Sequence, residues 1–166
     1  MSSPPRWAFG LLAIALAVAA AAATHRLSHF DGRPAALQDH TGGGKWLVVM
    51  IWASDCHVCN QEVKNYVAFH EAHRDKDARV LGISIDGLDG VAAARDFVRR
   101  HRVSFPNLIG SAEAVTRLYG ELTGEFLPGT PTFLIFDPQG TLVAKQVGAV
   151  PVKLIEDFIR KQAATG

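Results

Sequence analysis

Trp46-Leu47-Val48-Val49-Met50-Ile51-Trp52-Ala53-Ser54-Asp55-Cys56-His57-Val58-Cys59-Asn60-Gln61-Glu62 is the stretch that decides the fold. Its first seven residues are apolar without alternation, as a central strand covered by helices on both faces requires. The run stops at Ala53-Ser54-Asp55. A helical pattern then holds from about Cys56 to His73, with Val58, Val63, Tyr66, Val67 and Phe69 as expected buried positions. A strand handing over directly to a helix is half of a βα unit. Both cysteines of the chain lie at this junction, three positions apart.

Working outward, residues 79–85 read as a second apolar strand and residues 91–101 as a helix. The basic end of that helix, Arg99-Arg100-His101-Arg102, suits a helix C-terminus and reads as a solvated face. Pro131-Thr132-Phe133-Leu134-Ile135-Phe136 is a strand that Asp137-Pro138-Gln139-Gly140 turns into Thr141-Leu142-Val143-Ala144, an antiparallel hairpin. Pro151 opens a last helix with Leu154, Ile155, Phe158 and Ile159 on one apolar face. Upstream, Phe30-Asp31-Gly32-Arg33-Pro34-Ala35-Ala36-Leu37 reads as a short strand pair turning at Asp31-Gly32. Gly42-Gly43-Gly44-Lys45 is a loop that lacks the spacing of a phosphate-binding motif. Strands alternating with helices, followed by a terminal hairpin and helix, predict an α/β three-layer domain with a mixed sheet.

The chain of 166 residues is one domain's worth, and 48% apolar residues suffice for one core. A formal charge of +1 gives no general attraction to nucleic acid or to an anionic membrane. The N-terminus stands apart: Arg6 is followed by an uncharged run from Trp7 through the alanines to Ala23. One positive charge, an apolar stretch and small residues at its end fit a signal peptide or a retained N-terminal membrane anchor over residues 1–24. Residues 25–166 are then the folded, exported domain.

Two cysteines three apart close too short a loop to staple distant parts of the chain, so a reversible redox pair is the better reading. A thiol at a helix N-terminus meets unpaired N–H groups and the positive end of the dipole, which favour the thiolate. Cys56 is therefore the expected nucleophile. Cys59, one turn further in, is placed to attack the mixed disulfide that Cys56 forms with a substrate. A zinc site would need four ligands; the chain has no second C-x-x-C, and His70 and His73 sit too far along the same helix. No metal and no organic cofactor are expected, since the dithiol itself cycles.

Trp52 through Glu62 resembles the active-site segment of the TlpA/ResA/CcmG group of exported thioredoxin-like proteins. Gly129-Thr130-Pro131-Thr132-Phe133-Leu134-Ile135-Phe136-Asp137 is similar to their cis-proline strand, and Val80-Leu81-Gly82-Ile83-Ser84-Ile85-Asp86 with Phe105-Pro106 to their second strand and central insert. The resemblance implies a thioredoxin-like three-layer fold, a central mixed β-sheet flanked by helices, with an N-terminal β-hairpin extension and a central insert. It also implies a periplasmic reductant, or one on the outer face of the bacterial cytoplasmic membrane. Such a protein carries electrons from a membrane donor to protein disulfides, often in cytochrome c maturation. By the same resemblance Cys56 and Cys59 form the redox-active disulfide and Glu62 is the active-site acid. Pro131 is the cis-proline, beside which Thr130 and Pro131 are expected to bind substrate; Trp52 is a candidate substrate contact that also suits packing at the active-site end of the sheet.

Three positions depart from that group. Met50 stands where cytosolic thioredoxins carry a buried aspartate, Asp55 replaces the usual tryptophan before the first cysteine, and the inner dipeptide is His57-Val58. Asp55 opposes thiolate formation or caps the helix, whereas a protonated His57 would favour the thiolate. An oxidant that installs disulfides, a copper or other metal chaperone, and a redox-inactive binding module stay open as alternatives. Finally, Tyr119-Gly120 lies about six residues further from Pro131 than the group's pattern, so residues 121–130 are expected to form a loop beside the cysteines. Phe126-Leu127 would then be a wall of the substrate groove or fold back on the core, with Glu125 selecting against acidic partners.

Overall fold

The computed structural model describes residues 27–165, so the expected signal or anchor segment lies outside the described residues. In chain order the elements are β1 (Leu27–Ser28), β2 (Pro34–Ala35), β3 (Trp46–Trp52), α1 (His57–His73), β4 (Ala78–Ser84), α2 (Val91–Arg100), β5 (Asn107–Ile109), α3 (Ala112–Thr123), β6 (Thr132–Phe136), β7 (Leu142–Val147) and α4 (Val152–Thr165). They build one mixed sheet in the order β2-β1-β5-β4-β3-β6-β7. β3 runs parallel to β4 and antiparallel to β6, and β4 runs parallel to β5. This is the expected thioredoxin-like architecture, with β1 and β2 as the N-terminal hairpin.

β3 shows why an unbroken apolar run was needed. Its seven residues alternate between two cores: Trp46, Val48, Met50 and Trp52 face α1, α2 and α4, while Leu47, Val49 and Ile51 face α3 and Leu37. Met50 is wholly buried between Gly82 and Phe133, so no titratable group stands in the sheet beneath the cysteines at that position.

Several expectations need correction. β7 extends to Val147 because it pairs along the whole of β6. Leu154 is 59% exposed; the buried face of α4 consists of Ile155 and Ile159, with Phe158 packed partly against the core. Val58 and Val67 are only half-buried, whereas Val63, Tyr66 and Phe69 are buried as expected. Residues 121–123 are the last turn of α3 rather than loop. The helix ends at Gly124, whose φ of 73° supplies the left-handed cap that a glycine adopts without strain.

α1 is tied to β4 by a buried histidine. His70, 6% exposed, accepts a hydrogen bond from the Val80 N–H at Nδ1 over 3.1 Å, so its proton sits on Nε2. Burial holds its pKa below the usual imidazole value, and the same cause lowers those of His40 and His101. Because the folded-state values are depressed, the unfolded chain binds more protons as pH falls below about 6.5, and stability is lost from that point downward. The urea midpoint is therefore expected to be lower at about pH 5.5 than at about pH 7.5. His70→Asn, which keeps an acceptor near the Val80 N–H but does not titrate, is expected to show a smaller drop. An equal drop in both proteins would remove His70 from the acid response.

Candidate active site

The site is built where β3 and β4 end and α1 begins. Cys56 is the N-cap of α1, with extended backbone angles (φ −70°, ψ 112°) that bring its Sγ over the helix opening. The Cys59 N–H donates to Cys56 Sγ at 3.1 Å, which meets one of the orphan donors of the helix start with sulfur. Cys56 and Cys59 are joined as a disulfide with Cα atoms 5.2 Å apart. Cys59 is fully buried, and Cys56 is half-buried and reachable. Any external sulfur therefore meets Cys56 first.

The Thr130–Pro131 peptide bond is cis, and the Thr130 carbonyl oxygen lies 3.4 Å from Cys56 Sγ. The structure thus brings together four of the expected site residues: Cys56, Cys59, Thr130 and Pro131. Glu62 follows on the second turn of α1, half-buried, its Oε2 accepting from Asn65 Nδ2 at 3.3 Å. Its charge, after burial as the larger cause, pushes the Tyr66 phenol well above the usual value, and that phenol donates to Val150 O at 3.0 Å.

Trp52 does not belong with these residues. Its side chain is 1% exposed, stacked on Phe97 at 4.1 Å, with Nε1–H donating to Asn107 Oδ1 at 3.1 Å. A residue so enclosed supports the end of the sheet and offers no surface to a substrate.

Asp55 is exposed beside Cys56 and makes no cap to α1, because the cysteine sulfur takes that place. His57 is also exposed, and its Nε2 lies 3.0 Å from Gln61 Nε2. That contact turns the ring along α1 toward Gln61. Beyond α3, the apolar pair of the long connection divides. Phe126 is 88% exposed, Leu127 packs against the core under α3, and Glu125 forms an ion pair with Lys145 on β7. Among the described residues, no three His, Cys, Asp or Glu side chains cluster as a metal site. Nor is any helix among them long and apolar enough to cross a membrane.

Two supports escaped the sequence reading. Asp86, just past β4, accepts from Ser54 N–H at 3.2 Å, Ser54 Oγ at 3.0 Å and Ser84 Oγ at 2.7 Å, and so fixes the approach to Cys56. Asn60 holds the same turn from the helix side and meets His101. An acid ending the second strand, at the level where the cysteines end the first, was the only local hint.

A family model described as the AhpC/TSA family matches residues 18–145. The chain is 21% identical over 135 residues to the thiol-disulfide oxidoreductase ResA of Bacillus thuringiensis subsp. konkukian, covering 81% of this chain and 72% of that protein. It is 28% identical over 114 residues to the alkyl hydroperoxide reductase C of Mycobacterium tuberculosis, covering 64% of this chain and 56% of that one. A solved structure described as a thiol:disulfide interchange protein DsbE from Chlorobium tepidum superposes with a TM-score of 0.66. It shares 24% identity and covers 85% of this chain and 92% of that one, a likeness that shows the fold. Together these findings support the resemblance to the TlpA/ResA/CcmG group.

Proposed function

The chain belongs to the AhpC/TSA family and is a thiol–disulfide oxidoreductase of thioredoxin-like fold with the Cys56–Cys59 pair, and we propose that it acts outside the cytosol as a reductant of protein disulfides. The observation that carries the reading is the setting of Cys56: a reachable sulfur at a helix N-terminus, backed by a fully buried partner and faced by the Thr130 carbonyl.

In the reduced protein the Cys56 thiolate attacks one sulfur of a substrate disulfide. The other substrate sulfur leaves as a thiolate and takes a proton, and a mixed disulfide remains. Cys59, deprotonated, then attacks Cys56 Sγ and expels the second substrate thiolate. Two electrons and two protons pass to the substrate, and the Cys56–Cys59 disulfide is left. Glu62, close along α1 and partly shielded from water, is the acid that receives the Cys59 proton. Thr130 offers backbone to an extended substrate segment, and Pro131, which has no backbone N–H, adds no competing donor there. A membrane electron donor would return the pair to the dithiol, and the uncharged run before residue 24 would serve as export signal or tether.

The direction of flow rests on charge. Oxidants of this kind are strong because their reduced, thiolate form is stabilised. Here the exposed carboxylate of Asp55 stands next to Cys56 and opposes the thiolate. The charge beside Cys56 pushes the pair toward the reducing end. Equilibration with a thiol buffer is expected to place its potential nearer the about −270 mV of thioredoxin than the about −120 mV of DsbA. A value at the oxidising end would reverse the proposed direction while leaving the exchange chemistry intact.

A further inference from the structure

The polar groups that surround the cysteines without taking part in exchange converge on one amide. Asn60 Nδ2 donates to Cys56 O at 2.8 Å and to Ser54 O at 3.2 Å, while the Asn60 backbone N–H also donates to Cys56 O at 3.1 Å. A single side chain thereby grips the carbonyls before and after Asp55. With Nδ2 committed, Asn60 Oδ1 faces His101 Nε2 at 2.8 Å. An amide oxygen only accepts, so His101 carries its hydrogen on Nε2.

The other nitrogen of that ring is informative. His101 Nδ1 is buried and has no hydrogen-bond partner. Leaving such an atom unsatisfied costs on the order of 1–3 kcal/mol, so the ring is kept there at a cost to stability. Its position is firm nonetheless: His101 caps the C-terminus of α2, and its ring lies 4.7 Å from Phe97, which stacks in turn on Trp52. What the ring delivers from this anchored place is one N–H, aimed at Asn60.

We propose that His101 is a positioning residue for disulfide exchange: through Asn60 it fixes the Ser54–Cys56 turn and so the line along which Cys56 Sγ meets a substrate sulfur. The inference rests on the reading of Cys56 as the attacking thiol. Its physical basis is that an N-cap residue is only half held by its helix. Cys56 has one backbone tie backward, from its N–H to Ala53 O at 3.2 Å, and in the dithiol state it loses the bond to Cys59 Sγ. The amide clamp is made on backbone carbonyls and involves neither sulfur. Exchange needs three sulfurs in line, and a misplacement of about 1 Å at a reacting atom can cost on the order of a hundredfold.

The test compares His101→Leu, which removes the donor, with His101→Gln, whose amide N–H reaches a similar distance. The reduced proteins react with a small aromatic disulfide under pseudo-first-order conditions, and unfolding midpoints are recorded alongside. His101→Leu is expected to slow the reaction about tenfold, and His101→Gln to recover most of that loss. Asn60→Ala, which removes only the amide, is expected to slow it similarly, and the double variant to be no slower than either single one. Asn60→Ala also keeps the test decisive if His101→Leu does not fold. A wild-type rate in Asn60→Ala, or slowing by His101→Leu that His101→Gln does not rescue, would overturn the positioning role. A wild-type protein whose Cys56 does not react at all would overturn the underlying reading instead.

Discussion

Cys56→Ser is expected to abolish turnover of protein disulfides, by more than about a thousandfold, while Cys59→Ser stalls after one step with substrate covalently attached. The difference follows from exposure and order of attack. A serine hydroxyl is not a nucleophile toward disulfides at neutral pH, and no other thiol is reachable, since the chain has only two cysteines and Cys59 is fully buried. Cys59→Ser leaves the Cys56 sulfur at the start of α1, facing the Thr130 carbonyl, so the first attack proceeds. The resolving thiol is then missing, and the mixed disulfide accumulates as a mass adduct that a reductant releases. Alkylation of the reduced wild-type protein with limiting reagent should mark Cys56 for the same reason. Adducts trapped by Cys56→Ser and not by Cys59→Ser would reverse the two roles.

What could be read from the sequence divides along the range of the interactions. The residues of β3 needed no partner to be recognised, because burial on both faces leaves an apolar run whatever the neighbours are. The placement of the cysteines was equally local: the sequence puts Cys56 at the strand–helix junction, and helix geometry puts Cys59 one turn inside. Thr130 and Pro131 required the resemblance, since nothing in their own chemistry says that they return 74 residues later to face Cys56. Asp86, His101 and Asn107 were not legible. Each matters through a bond to a residue 32, 41 or 55 positions away, and a lone polar side chain at a strand or helix end does not announce such a partner.

Trp52 was open to two readings, a substrate contact or packing at the active-site end of the sheet, and strand alternation turns it into the core beside Phe97. The glycines at 124 and 129, with Pro128, indicated a loop from residue 121, but α3 runs on to Thr123.

Gly82→Ala is expected to destabilise the protein by about 2–5 kcal/mol, a large part of the 5–15 kcal/mol typical of a whole domain. Gly82 lies in the middle of β4, paired with Met50 on one side and Asn107 on the other, with its N–H donating to Pro106 O at 2.9 Å. A Cβ built there would come within 1.8 Å of Asn107 Oδ1 and 2.8 Å of Trp52 Nε1, the two atoms of the Trp52–Asn107 hydrogen bond. The strand therefore has glycine because an indole N–H and its acceptor occupy the space of a side chain. The methyl group cannot be absorbed by a small shift: Trp52 is held against Phe97, and Asn107 is held by its own bond from Nδ2 to Phe105 O at 2.8 Å. Overpacking of a tight core costs about 1–3 kcal/mol, and leaving the buried indole N–H without an acceptor adds a similar amount. Denaturant unfolding at neutral pH measures the sum, and Asn107→Ala in the Gly82→Ala background separates the two parts. Removing the displaced amide should relieve the clash while leaving the indole unpaired, so the double variant should lose less than the two single losses added together. A Gly82→Ala protein as stable as wild type would mean that Trp52 and Asn107 do not meet over Gly82, and that the sheet end carrying Cys56 is supported by other contacts.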